Sequence, residues 1–154
     1  PLDPAQTTRV LALNNEHAEE LSWLGAARLA ELIGRAFLAR RIGSVDAFLL
    51  AFDQDADYDS PNFLWFRPRY PRFVYVDRIV VARRARGRGH ARRLYDDLFQ
   101  HARRAGHQCI VCEVNLEPPN PASDAFHAAL GFSEVGLATI HGGSKTVRYL
   151  ARML

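Results

Sequence analysis

Apolar and polar positions along the chain recur with two periods, and the switches between them mark the elements. TRVLALN (8–14) is a short apolar run and reads as a first strand. The segment 16–37 carries Leu21, Leu24, Leu29 and Leu32 at helical spacing. It predicts one helix, or two short ones broken near Gly25. The stretch 37–52 reads as a hairpin or as a helix end followed by a strand; a turn at Ile42 to Ser44 and a strand over Val45 to Phe52 fit it best. RFVYVDRIVV (72–81) is a strand. From Ala91, Leu94, Tyr95, Leu98, Phe99, Ala102 and Ala105 form one apolar stripe, which predicts a long amphipathic helix. Gly106 stands where a helix-ending glycine belongs. QCIVCEVN (108–115) is the next strand. In NPASDAFHAALG, Asn120 is a cap, Pro121 opens a helix and Gly131 closes it. FSEVGLATIH and KTVRYLARML flank GGS, a terminal antiparallel hairpin.

The strand–helix–strand centre implies a parallel pair with a right-handed crossover. The fold class is mixed α/β, a central mixed β-sheet with helices on both faces, in one domain over 1–154. Between these elements lies DQDADYDSPNFLWFRPRYP (53–71), acidic first and then aromatic. A loop of that length is functional or disordered in most domains, and its aromatics argue against disorder. Phe63, Trp65, Phe66 and Tyr70 then cap the core or form a lid over a substrate pocket.

Composition adds limits. No stretch approaches the roughly 20 apolar residues that span a bilayer, and no secretory leader is visible. The expected compartment is the cytoplasm, with no membrane partner. The net charge is +3. Arg83 to Arg104 holds eight arginines against Asp96 and Asp97, so 8 − 2 = +6, and the rest of the chain is 3 − 6 = −3. One basic segment therefore sits on a mildly acidic body. Cys109 and Cys112 are spaced as CxxC, but on a strand residues three apart face opposite sides. They read as two packed thiols, with no metal site.

The basic segment opens with RRARGRGHARRLY (83–95), after a strand and before a helix. Glycines there allow a tight turn and close backbone approach. Free N–H groups at the helix start, with the helix dipole, make an anion site, and arginines add charge-assisted contacts. The loop suits a pyrophosphate. It lacks the Gly-Lys-Ser/Thr of a Walker loop and the spacing of a dinucleotide fingerprint. Nucleic acid is the alternative ligand of any basic run, but Asp96 and Asp97 interrupt this one, so none is expected.

Arg84-x-x-Gly87-x-Gly89 after RIVV resembles the acyl-CoA signature R/Q-x-x-G-x-G/A of the GNAT superfamily of N-acyltransferases. NPASDAFHAALGF resembles the family's Asn-x-x-(Ala/Ser)-…-Phe-Tyr-x-x-x-Gly-Phe segment. Two motifs at this separation, with the right elements between them, identify the chain as similar to GNAT enzymes, and among them to bacterial members with an EVN…PPN…FH…LGF run. The resemblance implies acetyl-CoA as cofactor and an amine, small molecule or protein amino-terminus, as acceptor. It implies that the backbone of Ile79, Val80 and Val81 pairs with the pantetheine arm. A bulge there opens a wedge toward the strand carrying Glu113. The N–H groups from Arg86 through Gly87, Arg88, Gly89 and His90 to Ala91 hold the pyrophosphate. Asn120, Ser123 and Phe126 line the CoA side of the following helix.

The reaction so implied is attack of an amine on a thioester. An alkylammonium with a pKa of about 10 must first lose a proton. Glu113 is the first candidate base and Asp77 the second, unless Asp77 pairs with Arg78 or Arg72. The developing oxyanion needs a donor, such as a main-chain N–H near Val81. Where the family carries a tyrosine acid, this chain has His127. A wall of Asp57, Tyr58, Asp59, Trp65, Tyr70, Asp77 and Glu113, with Tyr75 as a further hydroxyl, would suit a cationic amine. A non-catalytic CoA-binding module on the same fold is the alternative, and the exposed terminal strands could pair in a homodimer.

Overall fold

The computed structural model describes residues 4–17, 21, 23–117, 119–143 and 145–154. Its elements are α1 (Pro4–Glu16), α2 (Ala26–Arg35), β1 (Leu38–Ile42), β2 (Ala47–Asp53), α3 (Pro61–Phe66), β3 (Phe73–Val81), α4 (His90–Arg104), β4 (Cys109–Glu117), α5 (Pro121–Ala129), β5 (Ser133–Ile140) and β6 (Lys145–Met153). The six strands form one sheet in the order β1-β2-β3-β4-β6-β5. β3 and β4 are parallel, and every other neighbouring pair is antiparallel. This is the expected mixed α/β class.

Two apolar clusters cover the two faces. Val10 and Leu13 of α1, Leu29 and Leu32 of α2, and Phe63 and Phe66 of α3 pack with Phe52, Phe73, Tyr75 and Tyr149 on one face. Leu94, Tyr95, Leu98, Phe99 and Ala102 of α4 pack with Leu49, Val74, Ile110 and Leu150 on the other. Strand alternation sets this division. Cys109 belongs to the first cluster and Cys112 to the second, both as buried free thiols. Burial pushes the Cys109 thiol up to about 11 and raises that of Cys112.

The structure corrects three readings. Residues 8–14 are helical, within α1; Val10, Leu13 and Asn14 are its buried positions, at i, i+3 and i+4. A seven-residue apolar run does not separate helix from strand by period, and Pro4 at the helix start is the signal that does. Within 16–37 the described residues hold the end of α1 at Glu16 and then α2, with Gly25 as its N-cap; positions 18–20 and 22 lie outside the described residues. The hairpin turn falls at 43–46, so Val45 is in the turn, with φ 62°, and the strand begins at Ala47. Within 53–71, α3 folds over the core: Phe63 and Phe66 are fully buried. The Trp65 ring stacks on Tyr149 at 4.2 Å, and atoms of that ring lie where a Cβ on Gly136 would go.

The other signals match their elements. Asn120 caps α5 by accepting from the Ser123 N–H, and Gly106 and Gly131 take positive φ after α4 and α5. β5 and β6 form the terminal hairpin, with Ser144 of its turn outside the described residues. Among the described residues no helix is long and apolar enough to cross a membrane.

Candidate active site

A bulge and a divergence create the site. On the β2 side of β3, Leu50 pairs with Arg78 and Ala51 with Val76, so Asp77 is the extra residue. The extra residue reverses the alternation. Phe73 and Tyr75 face the α1–α3 cluster, whereas beyond the bulge Val80 does so and Ile79 packs toward α4. On its other side β3 pairs with β4 over Phe73, Val74 and Tyr75, and the two strands then part. A cavity of about 490 Å³ fills the wedge, lined by Val76 through Val81 of β3 and Cys112 through Asn115 of β4.

Glu113 sits in the wedge and accepts a hydrogen bond from the Tyr75 hydroxyl. Burial pushes its carboxyl up to about 8, against the lowering effect of that bond. Asp77 is committed elsewhere. It accepts from Tyr58 Oη at 2.6 Å and from Arg78 Nε at 2.6 Å, and Arg78 also donates to Asn14 of α1 at 2.8 Å. Arg72, the other cation considered for Asp77, donates instead to the Ala105 and Gly106 carbonyls.

His127 lies across the cavity, buried. Its Nδ1 is 2.8 Å from the Ser123 carbonyl oxygen, which can only accept, so Nδ1 carries the proton. Nε2 then accepts from the Tyr95 hydroxyl at 2.7 Å. Burial lowers the pKa of the ring, which favours the neutral imidazole, and both ring nitrogens are engaged by protein groups. Tyr95 read in the sequence as one more residue of the α4 stripe; its hydroxyl as part of this pair is legible in the fold alone.

The loop before α4 begins with a single helical turn, Arg83–Ala85, and its Gly87 and Gly89 have φ of 79° and 76°. Gly89 caps α4 without any side-chain hydrogen bond to the first N–H groups, which suits an anionic ligand there. Arg84 is drawn away by Asp46 at 2.7 Å, whereas Arg86 lines the cavity, its Nη2 3.2 Å from His17 Nε2.

Of the residues singled out in the sequence, the cavity brings together Tyr58, Asp59, Tyr75, Asp77, Ile79, Val80, Val81, Arg86, Glu113, Asn120, Ser123 and His127. Arg84, Gly87, Arg88, Gly89, His90, Ala91 and Phe126 are not part of its wall, nor are Trp65, Tyr70 and Asp57. Trp65 is held by Tyr149, and Tyr70 packs against the α1–α3 cluster. The wall also contains cations that the sequence reading did not place: Arg28, Arg78 and Lys145.

Comparison with known proteins bears on the family and the fold. The family model described as "Acetyltransferase (GNAT) family" matches residues 7–132. The chain is 33% identical over 116 residues to the L-2,4-diaminobutyric acid acetyltransferase of Wolinella succinogenes. That match covers 69% of this chain and 66% of the relative, a little under two thirds of its length. Among solved structures, the NatC complex bound to Gag peptide and CoA superposes with a TM-score of 0.72 at 14% identity, covering 100% of this chain and 96% of that one. A ribosomal-protein-alanine N-acetyltransferase from Brucella melitensis gives 0.69 at 21%, covering 99% and 97%. At these identities the two structures speak for the fold.

Proposed function

The chain belongs to the GNAT acetyltransferase family, and from that premise we propose that it moves an acetyl group from acetyl-CoA to a primary amine by direct attack. The observation that carries the reading is the wedge between β3 and β4 with Glu113 inside it. Acetyl-CoA supplies the activated acyl group as a thioester. The residues present suit it: uncapped N–H groups at the start of α4, Arg86 on the wall, and the backbone of Ile79 to Val81 parted from β4.

Glu113 is the base. A carboxyl at about 8 takes a proton from an ammonium far better than an ordinary carboxylate does. Tyr75 fixes its orientation. Asp77 carries a charge already matched by Arg78, so it positions Tyr58 and stays out of proton transfer. A main-chain N–H near Val81 is the donor to the acetyl oxygen. His127, neutral and bonded on both nitrogens, holds Tyr95 in place and gives no proton in its resting state. The thiol leaves unaided, since its pKa of about 8.5 makes it a tolerable leaving group.

The geometry also supports a reading of the signature two residues further on. Arg86-x-x-Gly89-x-Ala91 meets the same R-x-x-G-x-A spacing, with Arg86 on the cavity and Gly89 as the cap of α4. Arg84-x-x-Gly87-x-Gly89 puts the arginine on Asp46 instead. Calorimetry tests both points. The wild type binds acetyl-CoA, Arg86→Ala weakens binding by about 10-fold or more, as for a lost charged hydrogen bond, and Arg84→Ala leaves it near wild type. No binding by the wild type would refute the transferase reading; a loss confined to Arg84→Ala would restore the first frame. Acceptors open to the reaction are small amines, as the name of the Wolinella relative suggests, and protein amino-termini.

A further inference from the structure

Resting on the transferase reading, we infer that His17 is a positioning residue for the cofactor: it holds Arg86 ready for the pyrophosphate of acetyl-CoA without neutralising its charge. His17 follows directly on α1, 69 positions before Arg86 in the chain. It lines the same cavity as Arg86 and the parted backbone of Ile79 to Val81.

Arg84 and Arg86 stand on one loop, and their partners differ. Arg84 meets the Asp46 carboxylate at 2.7 Å, which cancels its charge. Arg86 meets an imidazole, Nη2 to His17 Nε2 at 3.2 Å. A guanidinium only donates, so Nε2 accepts. His17 Nδ1 is 3.0 Å from the Leu13 carbonyl oxygen, one turn back in α1. That oxygen only accepts, so Nδ1 carries the ring proton. Both bonds are met together by the neutral ring. The ring is also well anchored. His17 is buried, its backbone N–H donates to the Asn14 carbonyl at 3.0 Å, and its own carbonyl accepts from the Leu21 N–H at 2.9 Å. Arg86, by contrast, is exposed.

A fixed imidazole thus takes one N–H of a long side chain that would otherwise sample many rotamers. Ordering such a side chain costs binding free energy, and one held beforehand loses less. A neutral acceptor also leaves Arg86 its full charge. The remaining N–H groups of its planar fork stay available to phosphate oxygens. The uncapped N–H groups at the start of α4 lie further along the same loop. The pyrophosphate would then be met by backbone N–H groups and by an oriented guanidinium, and α1, which packs on the acceptor face of the sheet, takes part in recognising the cofactor.

The test is a double-substitution cycle on acetyl-CoA affinity, read by calorimetry in the wild type, His17→Ala, Arg86→Ala and the double variant. His17→Ala should weaken binding about 5-fold, the size of one ordinary hydrogen bond. In Arg86→Ala, which has already lost the guanidinium, adding His17→Ala should change nothing further. His17→Gln, whose amide oxygen can accept from Arg86, should restore part of the loss. If His17→Ala fails to fold by its thermal melt, His17→Phe takes its place in the cycle, because it keeps the bulk of the ring and removes the acceptor. CoA and dephospho-CoA should lose the same factor, since both carry the pyrophosphate. Three results would overturn the inference and leave the transferase intact: wild-type affinity without the imidazole, an equal loss in both backgrounds, as for a residue that only supports α1, or a loss absent with dephospho-CoA, which would put Arg86 on the 3′-phosphate. Failure of the wild type to bind acetyl-CoA would remove both readings.

Discussion

Glu113 is the residue on which chemistry and stability pull in opposite directions. Its carboxyl titrates near 8 in the fold because it is buried, against an ordinary value of 4.5. The folded protein therefore holds a proton that the unfolded chain releases, and stability declines as pH rises from the ordinary carboxylate range toward 8. Glu113→Gln removes that penalty. It should raise Tm, more at pH 8 than at pH 5, by roughly 2–4 °C for each kcal/mol regained; thermal melts at the two pH values check this. A lower Tm at pH 8 would mean that the carboxylate is needed in its charged form. His127 sits at the same scale. If it only positions Tyr95, His127→Gln should reduce kcat by less than the ~10²-fold typical of a lost general acid. A larger fall at unchanged acetyl-CoA affinity would return it to the role of acid.

At the scale of elements, the sequence was legible wherever a terminator or a long stripe was present. The α4 stripe, the Asn120-Pro121 start of α5 and the Gly106 and Gly131 stops are all in the structure. Asn120 accepts from the Ser123 N–H, so Asn120→Ala should cost about 1 kcal/mol, read as a fall in Tm. The apolar run of α1 is too short to fix a period, and its helix signal, Pro4, lies outside that run. The wedge was implied by family resemblance, but the Asp77 bulge that opens it depends on pairing with β2, which no local pattern records. Packing between α3 and β5 was equally hidden. Trp65 occupies the space a Cβ on Gly136 would need, so Gly136→Ala should cost about 1–3 kcal/mol by overpacking. Chemical denaturation measures it; a neutral outcome would mean that the indole moves aside freely.

On the scale of the whole molecule, the sheet separates two tasks. The α4–α5 face carries the loop and the caps assigned to the cofactor; the α1–α3 face carries the groups assigned to the acceptor; the wedge joins them. Glu113, His127 and the glycine loop could be picked out in the chain because motifs surround them. Arg28 and Lys145 could not, and Arg78 was legible only as a partner for Asp77; each lies in a different element and only folding brings them to one wall. The charge of the cavity is thus a property of the fold: of the acidic wall read from the sequence, Asp59, Asp77 and Glu113 line it, together with arginines and a lysine from other elements. The measurement that bears most directly on the central claim is the pH dependence of acetyl transfer from acetyl-CoA, in the wild type and in Glu113→Gln. With Glu113 as the base, kcat/KM rises with pH through a midpoint near 8 and levels off above it, and the substitution lowers it by about 10²-fold or more while acetyl-CoA still binds. A profile unchanged by Glu113→Gln would contradict the account.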